Sequence, residues 1–215
     1  MTIDAQVVEA QSEIDCPTTI STFDSGYLTE VVESTLKKIY EKLNCRVKFV
    51  PVPGRRGIAL FNALQVNGEA MRLSKVEQLY TREYVRSHIP LLDLVSSLWV
   101  HPDHYSEGNR PIGYTLGIVW QEKYAENKRA KRYRGIDELI NAYNRGKISG
   151  FLASDITVIL AIQTGRVETD LIRKEVIFSA PIYHYLGDEF SPFMKRFSNY
   201  LKKNTPFKEI EDLQN

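Results

Sequence analysis

Two stretches of this sequence repeat one pattern: FNALQVNGEAMRLS at residues 61–74 and INAYNRGKISGFLAS at residues 140–154. Each reads as a helix end with an Asn-Ala pair, then a polar turn containing glycine, then a short apolar strand. The strands end in polar residues, which are Arg72 and Ser74 in the first copy and Ser154 and Asp155 in the second. Two βα units far apart in one chain predict two α/β lobes, with a ligand held in the cleft between them.

The composition excludes several classes of protein. The chain has 215 residues, 43% of them apolar, which is enough for two small lobes with real cores. A formal net charge of +1 gives no overall electrostatic attraction to nucleic acid or to a membrane surface. No apolar run approaches the roughly 18 residues of a membrane span, and the residues after Met1 lack the pattern of a signal peptide. The chain is therefore expected to be cytosolic, or a mature exported form with an added methionine.

Hydrophobic spacing predicts alternating strands and helices in both halves of the chain. In the first half these are a strand at 18–24, a helix from Leu28 to Leu43, a strand at 46–52, a helix ending near Gln65 and a strand at 69–73. In the second half they are strands at 112–119, 148–153 and 180–186, and helices at 136–144, 156–164 and 190–201. This order requires right-handed crossovers and a mostly parallel sheet in each lobe.

The lobes are expected to be joined by strands that cross between them. Residues 90–100 read as one strand that is long enough to do so. We therefore expect lobe 1 over residues 1–96, lobe 2 over 97–179, and a return to lobe 1 over 180–215. The intervening residues 74–90 are polar and are expected to wrap the surface as a helix and loop.

Residues 123–134 hold six basic residues and one acid, Glu126. A nucleic-acid patch is one interpretation, but the run is confined to one segment of a nearly neutral chain. A solvated helix and loop is the favoured interpretation, and no nucleic-acid partner is expected.

The sequence offers no catalytic constellation. A glycine-rich phosphate loop and a GxSxG elbow are both missing from it, and neither cysteine has a histidine nearby in sequence. His101 and His104 flank Asp103, but a loop without a clear third ligand fits a surface segment better than a metal site. The chain is therefore expected to be neither an enzyme nor the holder of a cofactor or metal.

Polar and aromatic residues do collect at the predicted strand ends, where ligands bind in open α/β sheets. These candidates are Phe23, Asp24, Arg55, Arg56, Arg72, Trp120, Ser154, Asp155 and Tyr183. Arginines beside a helix N-terminus would suit a carboxylate or phosphate. Arg72 stands out because it interrupts an apolar strand, and an arginine in a buried or cleft position needs an anionic partner.

Cys16 and Cys45 each lie just before a predicted strand. If those strands are parallel neighbours, a disulfide between the two cysteines is geometrically feasible. Two unpaired thiols are the alternative, and spacing alone does not decide between them.

The order of these segments, with three short motifs, resembles the extracytoplasmic solute-binding proteins of family 3, and their short bacterial branch most of all. The first motif is Pro53 with Arg56. The second is Asn67, Gly68, Glu69 and Arg72, with Asn67 in place of the usual Asp. The third is Tyr183, His184, Tyr185 and Leu186. The resemblance covers residues 17–213 and implies the two-lobed type 2 periplasmic-binding-protein fold.

The resemblance also implies a function. Such proteins capture a small polar solute, here anionic or amino-acid-like, by a hinge motion, and deliver it to an ABC-type permease or a membrane sensor. It implies a periplasmic, monomeric protein, and export favours the Cys16–Cys45 disulfide. One departure weakens the case for an α-amino acid: where amino-acid binders carry a carboxylate-binding arginine, this chain reads LSKVEQLYTRE. An enzyme on the same scaffold and a sensory input module are the alternatives.

Overall fold

The computed structural model describes residues 16–23, 26–103, 105 and 110–214. Within those ranges no helix is both long enough and apolar enough to cross a membrane. The chain divides into two compact units, each an α/β structure with its own core. Of the described residues, the first unit takes in 16–23, Val31–Leu92 and Pro181–Lys208, and the second takes in 26–30, those within Asp93–Ala180, and 209–214.

The first unit is built on three parallel strands. Its elements are β1 (Thr19–Phe23), most of α1 (Tyr27–Lys42), β2 (Lys48–Val52), α2 (Gly54–Asn62), β3 (Gly68–Leu73), β4 (Tyr84–Arg86), the end of β9 (Ile172–Gly187) and α6 (Ser191–Asn204). β1 lies between β2 and β3 and is parallel to both, and β9 pairs antiparallel with β3 and β4. Buried aromatic rings of α1 and α6, Tyr40, Phe193 and Phe197, fill the core beneath this sheet.

The second unit repeats that plan. Its elements are β5 (Leu92–Val100), β6 (Ile112–Thr115), α3 (Val119–Ala125), β7 (Ala130–Tyr133), α4 (Ile136–Asn144), β8 (Gly150–Ser154), α5 (Asp155–Gln163), the start of β9 and α7 (Lys208–Asp212). β6 lies between β7 and β8 and is parallel to both, and β5 pairs antiparallel with β8. Leu139, Phe151 and Val158 are fully buried in its main core cluster.

The two copies of the repeated sequence pattern have the same backbone conformation. The residues that end α2 and α4, Ala63 and Arg145, have the same dihedral angles, with φ of −83° and ψ of 7°. The next residues, Leu64 and Gly146, have φ of 60° and 63°. Asn62 and Asn144 each bond the backbone of a later segment through both the amide nitrogen and the amide oxygen. The Asn-Ala pairs that suggested the repeat are offset by three residues from this match.

Each repeat then starts its strand with a glycine. Gly68 and Gly150 lie opposite β1 and β6 in the same parallel register, facing Ile20 and Ile112. A Cβ at Gly68 would come within 2.1 Å of the Tyr185 oxygen, and one at Gly150 within 2.4 Å of the Trp99 oxygen. Both positions therefore require glycine, because the antiparallel neighbour approaches too closely for a side chain.

Two sequence expectations need correction. Residues 130–133 of the basic run form the strand β7, which pairs in parallel with β6 and buries Tyr133 at its end while Lys131 and Arg132 are exposed. Residues 172–187 form one continuous strand of 16 residues, where a shorter strand at 180–186 was expected. Near the end of the chain, Glu211 and Gln214 bond the backbone of β5 in the second unit.

The Cys16–Cys45 disulfide is confirmed. β1 and β2 are parallel neighbours, as the sequence argument required, and the two Cα atoms lie 5.5 Å apart. The bridge spans 29 residues and ties the start of β1 to the loop between α1 and β2.

Candidate functional site

The sequence-predicted site residues of the first unit follow its strands as expected. Phe23 ends β1, Arg55 and Arg56 lie in the first turn of α2 directly after β2, and Arg72 lies near the end of β3. Tyr183 lies on β9 opposite Arg72. The remaining candidate of this unit's strand ends, Asp24, lies outside the described residues.

Arg72 already has an anionic partner inside its own unit. Its Nε donates to Glu69 Oε1 at 2.8 Å, and its Nη2 donates to the same oxygen and to the Gly54 carbonyl oxygen at 2.8 Å. Arg72 is 7% exposed and the Glu69 side chain 1% exposed, so this is a buried ion pair. The anion that Arg72 needs is therefore supplied by Glu69, whereas sequence reasoning assigned it to the ligand.

A β-bulge explains how the two side chains meet. Residues three apart in a regular strand point to opposite faces of the sheet. The β3–β9 register shifts by one residue between Glu69 and Arg72, and such a shift places both side chains on one face. The pair was missed in the sequence because regular strand alternation separates its members.

The ion pair is packed tightly by its neighbours. The Arg72 guanidinium lies 3.9 Å from the centre of the Phe23 ring, a cation–π contact. On its other side lies Gly57 of α2, where a Cβ would come within 2.5 Å of Arg72 Nη2 and 2.7 Å of Glu69 Oε1. The second Glu69 oxygen accepts a hydrogen bond from the Tyr80 hydroxyl. Burial, with the nearby Glu69 charge, raises the pKa of Tyr80, so this phenol stays protonated.

A second carboxylate of the first unit is held in the same manner. Glu77 Oε1 accepts hydrogen bonds from the Tyr185 hydroxyl at 2.7 Å and from Arg86 Nη1 at 2.9 Å. The Arg86 guanidinium also lies 4.3 Å from the centre of the Tyr183 ring. Tyr183, predicted as a ligand contact, therefore packs against an arginine of its own unit.

His184 lies on the opposite face of the bulged strands. Its Nδ1 lies 3.0 Å from the Glu69 carbonyl oxygen and 3.1 Å from that of Ala70, so Nδ1 carries a proton and donates it. Nε2 then accepts from the Tyr40 hydroxyl at 2.8 Å. Complete burial lowers the pKa of His184 to about 4. The neutral histidine thus satisfies backbone carbonyls at the bulge, which makes it a structural residue.

Asp155 is the buried carboxylate of the second unit. It follows β8 directly and begins α5, and its side chain is 0% exposed. Trp99 Nε1 donates to Oδ1 at 3.2 Å, and Arg173 Nη1 donates to Oδ2 at 2.7 Å. Beside it, the Ser154 hydroxyl bonds the Thr157 hydroxyl at 2.7 Å. Sequence reasoning found Asp155 and missed Arg173, which is 18 residues away on β9 and carries no motif.

Trp120 is partly buried, and its ring packs edge-on against Phe178 with the ring centres 5.3 Å apart. Near it, Leu116 and Val119 are each 47% exposed. These residues follow the carboxyl end of β6, which runs parallel to β8. Apolar surface therefore lies along the strand edge at which Ser154 stands.

Arg55 and Arg56 differ from the other charged candidates in their exposure. Both are exposed in the first turn of α2, whereas Arg72 and Asp155 are buried. Across the described residues, no group of three or more His, Cys, Asp or Glu side chains is arranged to hold a metal ion.

A surface depression lies elsewhere in the first unit. It is open to solvent, has a volume of about 440 Å³, and is lined by Tyr80, Thr81, Arg82, Glu83, Tyr84 and Asp188. Arg82 is tied down beside it, bonding the Phe61 and Val66 carbonyl oxygens and pairing with Glu189. Arg82 therefore satisfies backbone carbonyl groups at the C-terminal end of α2 and in the turn that follows it.

No protein-family model matches the chain, and no curated protein sequence does. Solved structures do match its fold. The GluR0 ligand-binding core of Nostoc punctiforme in complex with L-glutamate aligns at a TM-score of 0.70 and 15% identity, over 91% of this chain and 98% of that one. An arginine-bound variant of ArgBP from T. maritima aligns at 0.67 and 11% identity, over 92% and 99%.

A third match is the periplasmic VFT2 domain of Bordetella pertussis BvgS. It aligns at a TM-score of 0.68 and 9% identity, over 99% of this chain and 97% of that one. Matches of this extent at such low identity establish the fold alone. The chain therefore has the α/β fold of type 2 periplasmic binding proteins, the fold of solute-binding protein family 3.

Proposed function

We propose that this chain is an extracytoplasmic binding protein for a small solute with an anionic group, and that it does not transform that solute. The observation that carries the proposal is the fold. Two of the matched structures are a ligand-binding core with L-glutamate and an arginine-bound protein, and their alignments cover 91% and 92% of this chain and nearly all of their own length. Fold does not dictate function, so the chemistry is argued from the side chains.

The anion is assigned to the start of α2. Arg56 is exposed there, directly after the carboxyl end of β2, and Arg55 precedes it. Helix N-termini offer backbone N–H groups, and arginine binds carboxylate or phosphate through paired hydrogen bonds. Arg72 takes the role of a positioning residue, because Glu69 already neutralises it. Phe23, Tyr183, Trp120 and Ser154 remain predicted contacts, and Asp24 remains a prediction from the sequence.

The disulfide supports export. A bridge such as Cys16–Cys45 persists in oxidising compartments, of which the periplasm is one. In that compartment the complex would serve an ABC-type permease or a membrane sensor. A second observation fits the same compartment, since the periplasmic VFT2 domain of BvgS aligns over 99% of this chain.

A thermal-shift screen of small carboxylates, phosphates and amino acids tests the proposal. A bound solute raises the melting temperature in a saturable way, because it stabilises only the folded state. Arg56→Gln should abolish that shift, whereas Arg145→Gln, an exposed arginine at the end of α4, should leave it unchanged. Mass spectrometry should recover the solute unaltered.

Two results would contradict the proposal. If a neutral or cationic solute shifts the melting temperature and no anion does, the ligand does not need an anionic group. If the solute is chemically converted during incubation, the protein is an enzyme on this scaffold and not a binding protein.

A further inference from the structure

We propose that Arg173 neutralises the negative charge of Asp155 through an ion pair, so that the second unit rejects ligands bearing an amino group. The ligand is then a carboxylate with an apolar body and no positive charge. This inference rests on the proposed binding function and specifies the ligand class of that site.

The first step is the environment of Asp155. It stands at the carboxyl end of β8, where an exposed carboxylate would bind an ammonium or guanidinium group of a ligand. Its side chain is instead 0% exposed, and each of its two oxygens accepts a hydrogen bond from this chain. Trp99 supplies a neutral N–H group, and Arg173 supplies the full positive charge.

The second step is the position of Arg173. Its side chain is 45% exposed, on the first five residues of β9, all of which are exposed. The guanidinium thus reaches inward from the surface to cover a buried charge. An incoming amine would have to displace a charge-assisted hydrogen bond held within the chain, and a tethered group competes at high effective concentration.

The third step is the surface beside this pair. β6 runs parallel to β8, with Gly113 opposite Phe151, so their carboxyl ends lie at one edge. Leu116 and Val119, just beyond β6, are each 47% exposed. This edge offers apolar contact and the Ser154 hydroxyl, but no free negative charge from Asp155. A ligand with an apolar body fits it better than a zwitterion.

Matched ligand pairs test the inference with the wild-type chain. Leucine is compared with 4-methylpentanoate, and phenylalanine with 3-phenylpropanoate, by thermal shift and calorimetry. We expect the acid without the amino group to bind at least about tenfold more tightly than its amino acid, the factor that one modest charge interaction supplies. Equal or tighter binding of the amino acids would overturn the inference and leave the binding function standing.

Variants then assign the preference to Arg173. Arg173→Gln uncovers the Asp155 charge, so the amino acid should gain affinity relative to its partner acid by about tenfold. Arg166→Gln is the matched control, because Arg166 pairs with the exposed Asp137 in the same unit. It should leave the preference unchanged. An unchanged preference in Arg173→Gln would contradict the role of Arg173.

Two further variants guard against misfolding. Arg173→Lys keeps the charge and should keep the preference. The double variant Asp155→Asn with Arg173→Gln removes both charges, so it should fold without gaining affinity for the amino acid. A gain in the double variant would show that Asp155 is not the group uncovered. If none of these four compounds shifts the melting temperature of the wild-type chain or any variant, the proposed ligand class fails, and the screen of carboxylates, phosphates and amino acids decides separately on the binding function.

Discussion

The two helix–turn–strand copies have the same backbone but different contents. Starting from the matched pairs Asn62 with Asn144 and Gly68 with Gly150, Glu69 corresponds to Phe151 and Gly57 to Leu139. Phe151 and Leu139 are both fully buried in the apolar core of the second unit. The first unit fills the same space with a carboxylate and leaves room for it by using glycine on the helix.

The difference shows which features define the backbone of the repeat and which do not. Both copies keep the left-handed residue after the helix, the bridging asparagine and the glycine that starts the strand. The side chain beneath the helix is free to differ. In the first copy the carboxylate comes with a β-bulge, which the regular β5–β8 register of the second copy lacks.

The largest effect is expected when the buried pair loses one member. Arg72→Ala leaves the charge of Glu69 buried without its cation, which should cost about 3–5 kcal/mol of unfolding free energy. The matched change in the second copy, Ser154→Ala, removes one partly buried hydroxyl pair and should cost about 1 kcal/mol. Urea denaturation of both variants measures the difference. Similar costs in the two copies would mean that the Arg72–Glu69 pair is not formed in solution.

The pH dependence of stability should reveal a histidine that only the first unit has at this position. The pKa of His184 falls to about 4 in the folded chain, below the ordinary value of 6.5, whereas the residue at its place in the second unit is Leu98. Below pH 6.5 the unfolded chain binds a proton that the folded chain does not, so stability is lost as the pH falls toward 4. Between pH 6.5 and 5 the loss should be roughly 1.5 kcal/mol.

His184→Gln is the control for that measurement. Glutamine keeps a donor for the bulge carbonyls but does not titrate, so the slope of stability against pH in this window should flatten. The absolute stability of this variant is not the readout. If the slope of stability against pH is unchanged in His184→Gln, the claim that His184 is buried in its neutral form is wrong.

The smallest effect concerns the matched turn residues. Leu64 has φ of 60° and is 68% exposed, while Gly146 has φ of 63° at the same place. A left-handed conformation costs a non-glycine residue roughly 1–2 kcal/mol. Leu64→Gly should therefore stabilise the first unit by about 1 kcal/mol, and Gly146→Ala should destabilise the second by a similar amount. Changes of the same sign in the two variants would contradict the equivalence.

The sequence predicted the elements of both copies because helix and strand periodicities, glycine turns and strand ends are local signals. It also found the charged residues that matter, Arg72 and Asp155. It did not find their partners for two different reasons. Glu69 is in the same strand as Arg72 but reaches it only through a bulge, which strand alternation does not anticipate. Arg173 reaches Asp155 from another strand, and no local pattern encodes that contact.

The central claim is that the buried charges at the strand ends are paired within their own unit. A double-mutant cycle on Glu69→Gln and Arg72→Met tests it most directly, with unfolding free energies from urea denaturation. The account predicts a coupling energy of about 2–3 kcal/mol, because each single variant leaves a buried charge without its partner and the double variant leaves no buried charge. Additivity of the two single effects within about 0.5 kcal/mol would contradict it, and would restore the prediction that Arg72 binds the ligand.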